Sequence, residues 1–200
     1  MSYQSKLRVL AIDPGPAWMG WASLLVQHGP GVRCNFVRGG HMPCGRVDFR
    51  RLLLSERLSA RAEGCDLALA IETPAGYAFQ PARVPMLLQT RGVATAMQWM
   101  AEEEGHRVAV CTAQQVRKVL GGKATADDEA VKLLARGHVF GAPQTGNDHV
   151  NDALCVGVVG AWSLVGQVVL PPVSDGTSKR RKLQSVEAGA VPAQRKKGAK

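Results

Sequence analysis

The sequence predicts an α/β domain, a five-stranded mixed sheet flanked by helices and followed by a basic tail. Short apolar runs recur at 7–13, 20–27, 32–39, 66–72 and 107–111. Longer stretches with helical spacing lie between and after them, and glycine or proline punctuates most of the junctions.

The first run stops at Asp13-Pro14-Gly15, a turn signal, and the next two are separated only by His28-Gly29-Pro30-Gly31. Links this short join antiparallel neighbours, so strands one to three read as a meander. Residues 46–64 carry Leu52, Leu53, Leu54 and Leu58 on one side of a helix that Gly64 stops. The run 66–72 is too uniformly apolar to be half exposed, which suits a buried strand parallel to the first. A loop rich in proline, glycine and aromatics, 73–82, leads into a long helix, 83–104, ended by Gly105. The strand at 107–111 is expected to run parallel to strand one as well. Short helices follow at 113–120 and 125–136, then a flexible stretch at 137–147 and an apolar helix from 148 to 166.

Two hundred residues, 46% of them hydrophobic, suffice for one well-buried domain. The net charge of +9 is uneven: residues 171–200 hold eight Lys and Arg against two acids, so +6 of it lies there. That segment has too little apolar material to offset the entropy of ordering, and it reads as a disordered basic arm beyond a domain at 1–170. Such an arm is either a solubilising tail or an electrostatic tether to nucleic acid. Five cysteines at irregular spacing, with no CxxC pair, argue against a disulfide framework or a structural zinc site and fit a reducing compartment. The start MSYQSKLRVLAID lacks secretory features. The apolar run 153–170 contains Ser163, Gln167 and three glycines, so a buried helix is expected and no membrane span.

Acids close two of the apolar runs, VLAID and LALAIE. An ionised Asp13 or Glu72 in apolar surroundings would cost several kcal/mol by order of magnitude, so each needs a partner, and a divalent cation is the natural one. Parallel strands one and four would bring both acids to the same sheet edge. In the last helix His149 and Asp152 are three apart and share a face of its first turn. Four such groups can converge on two hard cations about 3.5–4 Å apart, an arrangement that cuts phosphodiesters. Each has a plainer explanation. Asp13 suits a turn, His149 suits the surface at a helix start, and Asp148 sits where an N-cap belongs. Glu72 is the hardest to explain structurally, because no turn requires it.

VLAIDPG with Gly20-Trp21 following, LALAIETP, LLQTRGVATA at 87–96, TAQQVRKVLGGKA at 112–124 and HVNDALCVG at 149–157 together resemble the RuvC family of Holliday junction resolvases. The resemblance spans residues 7–165. It implies an RNase H-like fold, a homodimer, and Mg²⁺- or Mn²⁺-dependent paired nicking of four-way DNA junctions in recombination and repair, with two ions per site. The family's catalytic and metal-binding positions fall on Asp13, Glu72, His149 and Asp152, with Asp148 one residue off as a fallback. His149 would bind metal or orient the attacking water; the sequence leaves both open.

The same resemblance places Arg117 and Lys123 where the family presents lysines to DNA phosphates, and Lys118 and Lys132 extend that stripe; a solvated helix face is the competing reading. Tyr77 and Phe79 are candidates for an aromatic inserted at the junction centre, or for caps on the core. The row Met86, Thr90, Val93, Met97 and Met100 would usually pack on its own sheet, but the family's corresponding helix faces a twofold partner. A branch-migration motor is a further expected partner, and a cytoplasmic, nucleoid-associated protein of bacterial or phage origin the expected setting. A non-catalytic junction-binding protein on the same fold is the alternative; an actin-like ATPase fails on length.

Overall fold

The computed structural model describes residues 5–29, 31–74, 83–143 and 147–171. Tyr77, Phe79 and nearly all of the basic arm lie outside these residues. Strands β1 (Ser5–Pro14), β2 (Trp18–His28) and β3 (Val32–Pro43) form the antiparallel meander, and helix α1 (Arg46–Ala62) crosses to β4 (Asp66–Glu72). Helix α2 (Val84–Glu103), strand β5 (Arg107–Cys111), helices α3 (Ala113–Gly121) and α4 (Asp128–Gly137), strand β6 (Val139–Phe140) and helix α5 (Asp148–Leu164) complete the order.

Among the described residues the sheet has six strands in the order β5-β4-β1-β2-β3-β6, with β4 parallel to β1 and β5 parallel to β4. The mixed α/β prediction holds, with one strand added. β6 falls within the stretch expected to be flexible and pairs only Val139 and Phe140 with Cys34 and Asn35. Two residues are too few to show the alternation by which a strand is recognised in sequence.

Strand periodicity sorts side chains between two cores. Leu7, Val9 and Ala11 of β1 and Ala68 and Ala70 of β4 face α5, whereas Leu10, Ile12, Leu67, Leu69 and Ile71 face α1 and α2. The α5 face is lined by small residues, so that helix lies close. A Cβ at Gly160 would stand 2.2 Å from the Cβ of Ala70. Asp13 and Glu72 continue the odd series of β1 and the even series of β4 toward this same face.

On the opposite face lies a buried ionic cluster. Arg8 is 1% exposed and Glu56 of α1 is fully buried; Arg8 Nε donates to Glu56 at 2.7 Å, and Ser23 Oγ and Arg38 Nε donate to the same carboxylate at 2.6 and 2.7 Å. Burial alone would raise the Glu56 pKa, but the hydrogen bonds from Ser23 and Arg8 outweigh it and hold the carboxyl below its ordinary value. The charge is therefore kept and paired, tying α1 across three strands.

Candidate active site

Asp13 and Glu72 immediately follow Ile12 and Ile71, which are paired across the β1–β4 ladder. The turn after Asp13 is fastened from three sides. Gly15 N donates to Trp18 O at 2.8 Å, Cys44 N donates to Ala17 O at 2.9 Å, and Gln89 Nε2 of α2 donates to Pro16 O at 3.0 Å. Beyond Glu72, Thr73 N donates to Cys111 O at 2.8 Å, so β5 holds the end of β4.

Asp152 comes to the same cleft from the first turns of α5. That helix starts on Asn147, whose Oδ1 accepts from His149 N at 3.0 Å and whose Nδ2 donates to His41 Nδ1 of β3 at 3.0 Å. Asn147 is thus the N-cap, and the expectation that Asp148 fills that position is corrected. An amide side chain caps as well as a carboxylate, and the sequence offered both in succession. Gly20 permits the approach: a Cβ there would lie 2.0 Å from the carbonyl oxygen of His149.

One cleft is lined by Asp13, Glu72 and Asp152 together with Arg117, Asp128 and Lys132. His149 is exposed and does not line it; its ring lies 6.4 Å, centroid to centroid, from that of His41. The three carboxylates repel one another. Burial, then the neighbouring charge of Asp152, raises the Asp13 pKa to about 6, against the opposing pull of His149 and Lys132. Burial, then Asp13 and Asp152, raises the Glu72 pKa to about 8. Burial also raises that of Asp152, although Lys132 opposes it.

The basic residues divide into two groups. Lys118 and Lys123 are exposed, as a phosphate-binding stripe requires. Arg117 lines the cleft, and its Nη2 donates to Asp128 at 3.0 Å. Lys132 is not on the outer stripe, where the sequence placed it. It is buried in the cleft, with Nζ 3.4 Å from Asp152 and 3.5 Å from Asp128. In the sequence Asp128 reads only as an acid diluting the basic stripe, with Asp127 and Glu129; its place in the cleft was missed, although its i,i+4 spacing to Lys132 on α4 was available.

An oxygen-rich set with excess negative charge suits a hard divalent cation. Asp13 and Glu72 accept no hydrogen bond among the described residues, which leaves their oxygens free for one. No group of three His, Cys, Asp or Glu side chains among the described residues is already drawn together around a metal position.

No protein-family model matches the chain, and no curated protein does. Solved structures do. The Thermus thermophilus RuvC structure is 20% identical with a TM-score of 0.58, covering 80% of this chain and 97% of that one. The chain has the fold of RuvC. T. thermophilus RuvC in complex with a Holliday junction substrate matches equally, with a TM-score of 0.58, 20% identity, and 80% and 94% of the two chains covered. The RuvC likeness thus spans nearly the whole of that protein and leaves one fifth of this chain unmatched. Among the described residues no helix is long and apolar enough to cross a membrane.

Proposed function

We propose that this chain is a structure-selective, metal-dependent endonuclease that resolves four-way DNA junctions by paired nicks, in recombination and repair. The observation that carries the proposal is the meeting of Asp13, Glu72 and Asp152, from β1, β4 and α5, in one cleft of a RuvC fold. A protein that only binds DNA gains nothing from grouping carboxylates where phosphate must come. Asp13, Glu72 and Asp152, with His149 at the rim, would hold Mg²⁺ or Mn²⁺. When bound, the ion supplies a Lewis acid and lowers the pKa of a water. The chain's own part is to fix Asp13 and Glu72 on a rigid sheet edge, to bring Asp152 to them from α5, and to meet phosphates with Arg117, Lys118 and Lys123.

Paired cuts call for a twofold dimer. Of the row expected on α2, Met97 and Met100 are buried, Thr90 and Val93 are half-buried and Met86 is 46% exposed, while Leu88 and Trp99 are 48% and 54% exposed on another side of the helix. That second, outward side is the surface proposed for the homodimer. Tyr77 or Phe79 would stack at the opened junction centre. A branch-migration motor, and a cytoplasmic setting on the nucleoid, remain part of the same proposal.

The test incubates the protein with a labelled four-way junction, linear duplex or RNA–DNA hybrid, in Mg²⁺, Mn²⁺ or EDTA. Junction-selective nicking that needs metal and disappears in Asp13→Asn, Glu72→Gln and Asp152→Asn is the expected result. Tight junction binding with no cleavage under any metal would replace it with the non-catalytic alternative.

A further inference from the structure

Helix α1 turns a row of arginines outward. Arg46, Arg50, Arg57 and Arg61 are all exposed, and their spacings of four, seven and four keep them within one stripe of a helix with 3.6 residues per turn. The two acids of the helix do not offset them. Glu56 is buried and bound to Arg8 and Arg38, and the half-buried Asp48 lies close to the N-cap Gly45. Among the described residues only Arg57 of the row has an ion-pair partner, Glu104 after the end of α2, at 3.7 Å. The charge of Arg46 and Arg50 is left to solvent.

Beside this end of the row an apolar groove opens between α1 and α2. Phe49, Val93, Met97 and Met100 line it, with Trp99 and Arg46 beside them, and its volume is about 210 Å³. That is below the roughly 300–1,000 Å³ of small-molecule sites and suits a single bulky side chain. Only Cys44, Arg46 and Trp99 bring polar side-chain atoms to it, and the Cys44 thiol already donates to Gly15 O at 3.2 Å. A nucleobase placed there would leave most of its polar edge unpaired, whereas an aliphatic or aromatic side chain has no such loss. Next to the arginines, Val47, Leu54 and Leu58 form a second outward row, each more than half exposed. Apolar surface of this kind suits a protein and adds nothing to phosphate binding.

We propose that this groove docks an acidic segment of a partner protein, with one bulky apolar side chain seated between Phe49, Val93 and Met97 and flanking carboxylates on Arg46 and Arg50. Arginine pairs with carboxylates through two parallel hydrogen bonds, so the row sets the register of the segment as well as its charge complementarity. At the far end, Glu102, Glu103 and Glu104 close α2, and like charge there leaves the Arg46 end as the place for carboxylates. The groove lies on the α1 and α2 side of the sheet and the carboxylate cleft on the α5 side, so the proposal stands apart from the nuclease reading.

Full-length protein selects binders from a display library of random octapeptides. The selected peptides, dye-labelled, are titrated by fluorescence anisotropy into wild type, Ala96→Trp and the double variant Arg46→Glu with Arg50→Glu. Ala96 is exposed at the groove, so the tryptophan fills the groove without entering the core. Expected are peptides in which acids flank a bulky apolar residue, with affinity at least about tenfold weaker in both variants. A selection without peptides, peptides with no shared acidic and apolar pattern, or affinity that either variant leaves unchanged overturns the proposal; unchanged affinity is also what capture by the basic arm would give. Single-stranded DNA that displaces the peptides, and whose binding is lost in Ala96→Trp, reassigns the groove to nucleic acid. Trp99 also belongs to the surface proposed for the homodimer, so a dimeric wild type that selects no peptide and turns monomeric in Ala96→Trp reassigns the groove to a second copy. If circular dichroism shows Ala96→Trp unfolded, the arginine reversal, confined to the surface, decides.

Discussion

Asp13 and Glu72 stand one residue beyond the paired Ile12 and Ile71 of two parallel strands, so neither can move away from the other without breaking the ladder that holds it. Repulsion between them is therefore built into the sheet. It is relieved by a proton or by a cation.

The sign of the resulting pH dependence follows from the raised pKa values, about 6 for Asp13 and about 8 for Glu72. A carboxyl that holds its proton more tightly when folded favours the folded state at low pH. That contribution is lost as pH rises from the ordinary carboxylate range through the folded values. Without metal, the melting temperature of Glu72→Gln should gain on wild type between about pH 5 and pH 9, by a few degrees for each ~1 kcal/mol. Mn²⁺ should raise the wild-type melting temperature more at pH 9 than at pH 5. Parallel melting curves across this range would remove the carboxylate cluster as the cause.

Glu56 gives the opposite slope. Its pKa is lowered, so its stabilisation is present above the ordinary carboxylate value and is lost as pH falls below it. Glu56→Ala leaves Arg8 buried without its main partner, and should cost about 3–5 kcal/mol in denaturant unfolding at pH 7. Arg8→Met with Glu56→Leu removes both charges and should cost less than the single change. A double variant as unstable as the single one would show that the cluster's packing, not its charge, is what matters.

The placement of these charges shows how far the sequence was legible. Asp13 and Glu72 could be found because each ends an apolar strand, and the alternation along that strand sets the face on which it emerges. The meander, the two parallel strands and the five helices among the described residues follow from the same periodicity and from Gly and Pro at their ends. Lys132 could not be found this way. A lysine on an amphipathic helix has the pattern of a surface residue, and its burial depends on α5 lying over α4. Asn147 and Asp148 both suit a helix start, and only the backbone distinguishes them. His149 has the right spacing to Asp152, yet its ring sits beside His41 at the rim, a side-chain orientation that no spacing fixes.

The arm at 171–200 carries eight basic residues against two acids. If it tethers the protein to DNA, its removal should flatten the dependence of junction affinity on salt, by about 0.9 in the logarithmic slope for each phosphate that the arm had neutralised. An unchanged slope would leave it a solubilising tail.

Gly20 offers the most direct test of how the fold sets the site. It pairs with Asp13 across β1 and β2, and its missing side chain admits the His149 carbonyl at the start of α5. In Gly20→Ala the new Cβ meets backbone, not the movable tip of a side chain, so the first turn of α5 must shift. The expected cost is about 1–3 kcal/mol of stability. The same shift carries Asp152 away from Asp13, so Mn²⁺ affinity and junction nicking should fall further than in a variant equally destabilised elsewhere, such as a cavity substitution at Phe49 on the buried face of α1. Equal losses in the two variants would mean that the approach of α5 to β2 serves stability alone.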